Sequence, residues 1–227
     1  MKTGKTSVRA LKNLISFLFD MLFPYECAGC RAHRVLFCTE CLETCPRATP
    51  TPHTFIHPVF DYQNPIIKRS LWRFKYENVR AFAEVFALPL YEKILNELCD
   101  DIDAHQQEKY LLIPIPLHPS KQRERGYNQS ELLARGIMTH DESSIFEFAP
   151  EALNRTHKTK PQARSEKRTD RIANLCDAFA CPDPARIRGR TIILIDDVTT
   201  TGATLLSAKH TLSLAHPRKI LACTVAH

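Results

Sequence analysis

The chain is poor in glycine: only six occur in 227 residues, at positions 4, 29, 126, 136, 189 and 202. None of them opens a Gly-x-x-x-x-Gly-Lys-Ser/Thr run, which argues against a P-loop nucleotide site. Long apolar runs are missing too, so no stretch is long enough to span a membrane. The N-terminus makes no convincing signal peptide. Charges continue through Lys12, Asp20 breaks the apolar stretch from Leu14 to Phe23, and no small-residue cleavage site follows. There is no internal repeat and no low-complexity segment. Extreme charge is also lacking: the formal net charge is +6, which suits an anionic ligand and only weakly suits nucleic acid. A 44% hydrophobic share is that of an ordinary soluble globular protein, and the length allows one sizeable core with a small appendage.

Scarce glycine gives weight to Gly202. It closes the run Ile192-Ile193-Leu194-Ile195-Asp196-Asp197-Val198-Thr199-Thr200-Thr201-Gly202-Ala203-Thr204. Four aliphatic residues in a row read as a buried central strand. Two carboxylates stand at its carboxyl end, where open α/β sheets bind ligands. A hydroxyl-rich loop and a helix from Leu205 to Leu214 follow. Such a loop can aim backbone N–H groups, Thr hydroxyls and a helix N-terminus at one phosphate. Paired acids suit neighbouring ribose hydroxyls. The local chemistry asks for a ribose 5-phosphate; the plain alternative is an acidic strand end with a Thr-rich turn that binds nothing.

Nine cysteines are present. Cys27, Cys30, Cys38 and Cys41 form C-x2-C-x7-C-x2-C, two knuckles that can close a tetrahedral zinc site, with Gly29 easing the first turn. Thiols spaced this way point to metal in a reducing cytoplasm rather than to a disulfide framework. A site ligated by four thiolates has no open position for catalysis, so a structural role follows. Before it, Val8, Leu11, Leu14, Ile15, Leu18, Phe19 and Leu22 recur at helical spacing up to Pro24. That amphipathic helix is expected to pack on the domain or a partner; peripheral membrane contact is the alternative. After it, Pro46, Pro50, Pro52 and Pro58 read as a linker. The domains are then 1–58, with the helix, the zinc module and the linker, and 59–227.

In the second domain, Phe60-Asp61-Tyr62 is a short strand candidate. Helices are expected from about Pro65 to Phe74 and from Phe82 to Leu98, with Pro89 as a kink. Trp72, Phe74 and Tyr76 read as core or interface aromatics. Residues 100–109 read as an exposed connection. Tyr110–Leu117 is a second buried strand entering a proline-stiffened turn. Residues 118–130 read as a loop whose Lys121, Arg123 and Arg125 make a second anion site, and Glu131–Met138 begins a helix. A third basic stretch, Arg155–Arg171, includes Lys158 and reads as a mobile active-site loop, although charge runs are usually solvated faces. Ile220–Val225 is the last buried strand.

Together and in order, several segments resemble the ComF/GntX family of phosphoribosyltransferase-like proteins. They are the four-cysteine motif, Phe74-Lys75-Tyr76, Ile113-Pro114-Ile115-Pro116-Leu117-His118-Pro119, Arg125-Gly126-Tyr127-Asn128-Gln129, Gln162 with Arg171-Ile172-Ala173-Asn174, and the Asp196–Thr204 signature. The resemblance implies a type I phosphoribosyltransferase fold, a twisted parallel sheet flanked by helices. It implies that Asp196 and Asp197 hold ribose hydroxyls and that Thr200, Thr201, Gly202, Ala203 and Thr204 hold the 5-phosphate. Thr199 completes that set, where an aliphatic residue is more usual. It implies that Pro114, Ile115, Pro116 and Leu117 approach a pyrophosphate, often with unusual peptide geometry. It also implies a homodimer and links to natural transformation and DNA uptake. Gln162-Ala163-Arg164-Ser165 lacks a leucine common after the Gln, which affects how the basic loop closes.

The expected chemistry is Mg²⁺-dependent binding of 5-phosphoribosyl 1-pyrophosphate (PRPP). A nitrogen of an acceptor the sequence does not identify displaces pyrophosphate. Arg123, Arg125, Arg155 and Lys158 offset charge on the leaving group beside Asp196 and Asp197. The alternative is a non-catalytic PRPP- or nucleotide-sensing adaptor in a DNA-processing complex. A third reading is direct nucleic-acid binding by the zinc module and basic loops, which the mixed charges Arg31, Arg34, Glu40 and Glu43 support weakly.

Overall fold

The computed structural model describes residues 25–104, 108–156 and 178–227, without the side chains of 100–104. The expected helix at Val8–Leu22 and most of the basic stretch, including Lys158, lie outside the described residues. The chain divides into two compact units, Met1–Cys45 and Pro46–His227.

In the first unit, short backbone bonds fold the cysteine segment. Cys27 N–H donates to Ala32 (2.9 Å) and Ala28 N–H to Leu36 (2.9 Å). Helix α1 (Thr39–Glu43) starts directly after Cys38. Gly29 was expected to supply the tight turn. Residues 28–30 do turn, closed by Arg31 N–H donating to Cys27 (3.1 Å), while the left-handed positions are Arg31 (φ 62) and Arg34 (φ 65).

The second unit holds a parallel sheet of order β1-β7-β6-β2-β3, with β1 Ile56–Phe60, β2 Tyr110–Pro114, β3 Phe146–Phe148, β6 Thr191–Val198 and β7 Lys219–Ala226. Helices flank it: α2 Pro65–Tyr76, α3 Phe82–Ala104, α4 Pro119–Arg125, α5 Gln129–His140, α6 Pro184–Ile187 and α7 Ala203–Ser213. The fold class is as expected, α/β with helices on a parallel sheet and an N-terminal cysteine cluster, and it is consistent with a phosphoribosyltransferase-like fold. Burial on both faces explains why β2 and the first part of β6 read as unbroken aliphatic runs. Alternate residues face opposite sides. Leu111, Ile113, Ile192 and Leu194 join Leu205, Ala208 and Leu212 of α7 in one core, while α3 and α5 lie against the strands from the other side. There Gly136 lets the two helices close in: a Cβ at that position would come 2.8 Å from Ala87 Cβ.

Several boundaries differ from expectation. The first strand is Ile56–Phe60, not 60–62, because its register is set against β7 through Ile56–Ala222 to Phe60–Ala226. The proline-rich stretch before it is tied down: Ala48 N–H donates to Val59 (3.1 Å). Helix α3 runs on to Ala104 into what read as a connection. Trp72 and Tyr76 are exposed (53% and 56%), and only Phe74 of that trio is core. Residues 119–125 are helix, not loop. Pro119 at the first turn, the His118 cap and left-handed Gly126 (φ 75) after the last turn account for it. A short antiparallel pair, β4 Asn154–Arg155 with β5 Phe179–Ala180, carried no periodic signal.

Candidate functional site

Strands β2 and β6 are neighbours in the sheet, and the connections that leave them run to opposite edges: β2 leads to β3, β6 to β7. Such a switch point opens a crevice at the strand carboxyl ends. A cleft of about 460 Å³ lies there. Its floor is Asp196 and Asp197, the sixth and seventh residues of β6.

The β2 side of the cleft is shaped by proline. Pro114 ends the strand and Pro116 has no N–H to continue the ladder. Ile115 N–H still donates to Ile195 (2.9 Å), and its carbonyl accepts from the buried Asn128 Nδ2 (3.0 Å). Ile115, Pro116 and Leu117 therefore turn over the cleft and line it. Every peptide bond among the described residues is trans, so the unusual geometry implied for this loop is not seen. Arg125 comes from the last turn of α4, and β4 presents Arg155, whose guanidinium lies 5.2 Å over the Phe179 ring.

Four cations (Lys75, Lys121, Arg125 and Arg155) line the cleft with the two carboxylates. Asp196 Oδ1 accepts from Ser130 Oγ (2.8 Å) and from Asp197 N–H (2.9 Å). Burial, with Asp197 alongside, still pushes the Asp196 carboxyl up to about 7. Asp197 pairs with Lys75 at 3.0 Å. Burial pulls Arg155 below the ordinary guanidinium range, with Asp196 opposing that pull. A ligand that brings hydroxyls to the acids and phosphates to the cations would satisfy both sets.

At the start of α7, Gly202 has φ 75, and a Cβ there would come 2.7 Å from His53 Cδ2. His53 Nε2 lies 3.3 Å from the Thr201 carbonyl. The turn is thus compressed against an imidazole, which only glycine allows. Thr204 lines the cleft, and Thr200, Thr201 and Ala203 lie along the turn, with both threonines exposed. Thr199 is buried, and its N–H is used by Ala226 (3.1 Å).

Of the remaining expected residues, Pro114 and Arg123 line a second cleft of about 400 Å³ that shares Pro116 and Leu117 with the first. Sequence reasoning missed the roles of Lys75 and Ser130. Both stand in segments quoted for the resemblance or beside them, but their spacing carries no chemistry. Only the fold brings them to the acids.

The four cysteines meet in the first unit. Their Sγ atoms all lie within 4.8 Å of one another, and Cys38 Sγ is 3.7 Å from those of Cys27 and Cys30. A tetrahedral Zn²⁺ with Zn–S of about 2.3 Å has edges of about 3.8 Å, so the donor set fits a structural zinc ion. Burial works against the Cys27 thiolate, but backbone donors at Cys38, Cys30 and Gly29 outweigh it and bring the thiol down to about 6. Cys41, sharing its proton with Cys38, is pushed up to about 12. A divalent cation in place of those protons removes the imbalance.

The fold and cleft define an α/β protein with a crevice at a sheet switch point, lined by two carboxylates and four cations. No family model matches the chain. It is 31% identical over 151 residues to competence protein ComFC of Bacillus subtilis, covering 65% of this chain and 53% of that protein; the match thus spans about half of that relative's length. It is 26% identical over 204 residues to competence protein ComFC of Streptococcus pneumoniae, covering 89% and 80%. It is 28% identical over 184 residues to DNA utilization protein YhgH of Shigella flexneri, covering 79% and 73%. These likenesses support the ComF resemblance. No helix among the described residues is long and apolar enough to cross a membrane.

Proposed function

We propose that the chain is a ComF-type phosphoribosyltransferase-like protein whose cleft binds PRPP and transfers its phosphoribosyl group to a nitrogen acceptor. The observation that carries this is the pairing of Asp196 and Asp197 with four surrounding cations at the switch point. Asp196 and Asp197 take the ribose hydroxyls. Thr200 to Thr204 hold the 5-phosphate at the α7 N-terminus. Lys121, Arg125 and Arg155 hold the pyrophosphate, and residues 115–117 wall it off from water. The acceptor's nitrogen lone pair attacks the anomeric carbon, the C–O bond to pyrophosphate breaks, and the pyrophosphate leaves with that electron pair. The acceptor's proton goes to solvent. Mg²⁺ arriving with PRPP would supply charge neutralisation on the leaving group, with Asp196 and Asp197 as the carboxylates able to hold it. Zinc in the cysteine cluster is structural. The relatives' names, competence and DNA utilization, support a role in DNA uptake.

One observation favours the non-catalytic reading. The only imidazole lining the cleft among the described residues, His118, has its Nδ1 engaged by Ser120 (2.7 Å), so that nitrogen is not free to take the acceptor's proton. Pyrophosphate release from PRPP and Mg²⁺ over a panel of nitrogen acceptors separates the two. Release with one acceptor, lost in the Asp196→Asn/Asp197→Asn double variant, supports transfer. PRPP binding with no release across the panel supports a sensing adaptor.

A further inference from the structure

Lys75, in the Phe74-Lys75-Tyr76 motif, is one of the four cations lining the cleft, but the reading above gives it no ligand group to hold. Lys75 Nζ lies 3.0 Å from Asp197 Oδ1, with the two side chains 20% and 11% exposed. Among the described residues Asp197 is its one ionic partner. The helix end that carries it is fixed from the last turn of α4 and the segment just after it. The Tyr127 hydroxyl donates to the Phe74 carbonyl, and the Arg125 guanidinium lies 5.0 Å over the Tyr76 ring. The α2 backbone is therefore anchored on either side of Lys75. The ammonium is not, because it sits on a flexible four-carbon stem with three donors.

We infer that Lys75 is a specificity-determining residue that changes partners, neutralising Asp197 before ligand arrives and turning to the pyrophosphate once ribose hydroxyls engage Asp197. The reason is the cost of an enclosed ion pair. Both charges have given up most of their hydration, and removing one partner strands the other. A ribose 5-phosphate that takes Asp197 leaves the ammonium without a close anion in exchange, with only the more distant Asp196 acting on it. A ligand that carries a pyrophosphate beside the same hydroxyls supplies the replacement anion, and a charge-assisted bond to it restores what was broken. Lys75 thus biases the cleft against ribose 5-phosphate and towards PRPP. This assignment rests on the ribose-phosphate reading.

The test is calorimetry on the full-length, zinc-loaded chain with two probes, inorganic pyrophosphate and ribose 5-phosphate, each with Mg²⁺. Lys75→Met is expected to weaken pyrophosphate about tenfold or more and to leave ribose 5-phosphate as tight or tighter. Lys75→Gln gives the same split should the Met variant not fold, and Lys75→Arg, which keeps the charge, holds pyrophosphate within about threefold. Equal weakening of both probes, or no change in either, overturns the assignment alone. Wild type that binds neither probe overturns the ribose-phosphate reading and the assignment with it.

Discussion

Cys27, Cys30, Cys38 and Cys41 lie within one short stretch of chain, whereas the groups lining the cleft are scattered from Lys75 to Thr204. Both sites set like charges side by side, four thiols in one and two carboxylates in the other, although the cleft adds four cations around its pair. They differ in what holds the like charges together. In the cysteine unit, backbone bonds across a few residues hold the thiols together, and a metal ion held there would add its binding energy to folding. At the cleft, a buried parallel sheet holds Asp196 and Asp197 side by side whether or not anything is bound. Lys75 and Ser130 keep the cost within bounds. The first kind of site would gain folding energy from its guest; the second is laid out by the sheet before any guest arrives.

The largest expected effect follows on the cysteine side. Cys38→Ser should reduce bound zinc from about one per chain to near none. It should also expose the bonds after Arg31 and Arg34 to trypsin. Metal analysis with limited proteolysis reads both. Full zinc retention with unchanged cleavage would mean that the four sulfurs do not act as one site.

The cleft should behave in the opposite sense: removing a charge there should stabilise the protein. The Asp196 carboxyl stands at about 7 in the fold against an ordinary 3.8. Between those values the unfolded chain has lost its proton and the folded one has not, so stability falls as pH rises from about 4 to 7 and then levels. Asn at 196 keeps the same acceptor oxygen for Ser130 and for Asp197 N–H and carries no charge. Asp196→Asn should therefore match wild type near pH 4 and exceed it by roughly 2–4 kcal/mol at pH 8. Denaturant melts at both pH values test this. A variant less stable than wild type at pH 8 would contradict the idea that this site costs stability.

A smaller effect marks the scaffold behind the cleft. Gly136→Ala places a methyl against Ala87 and the Ala83 carbonyl (3.3 Å), where backbone cannot yield. The expected loss is about 1–3 kcal/mol, read as a lower Tm, with zinc content unchanged. An unaltered Tm would mean that α3 and α5 have room to separate.

The same contrast governs how much the sequence revealed. The cysteine cluster is local, and its spacing alone names all four thiols that meet. The central strands were legible because burial on both faces leaves an unbroken aliphatic run, and the acids at the end of β6 were legible because charge in such a run needs a reason. Lys75 and Ser130 were not, since nothing near them in the chain says that they will meet Asp197 and Asp196. The α4 helix had its signals in view, Pro119 at the start and Gly126 past the end. They were outweighed by the basic residues between, which read as an anion loop. Arg123 lines the neighbouring cleft rather than the one floored by the acids, because on a helix its direction differs from that of Arg125. The β4–β5 pair is too short for periodicity to register.

The central claim is that Asp196 and Asp197 are held ready for a ribose bearing phosphates. Calorimetric titration of PRPP with Mg²⁺ into the wild-type chain and into the Asp196→Asn/Asp197→Asn variant tests it most directly. The account predicts saturable binding by wild type and a loss of about a hundredfold or more in the folded variant. Equal affinity in both proteins, or no binding by folded, zinc-loaded wild type, would contradict it.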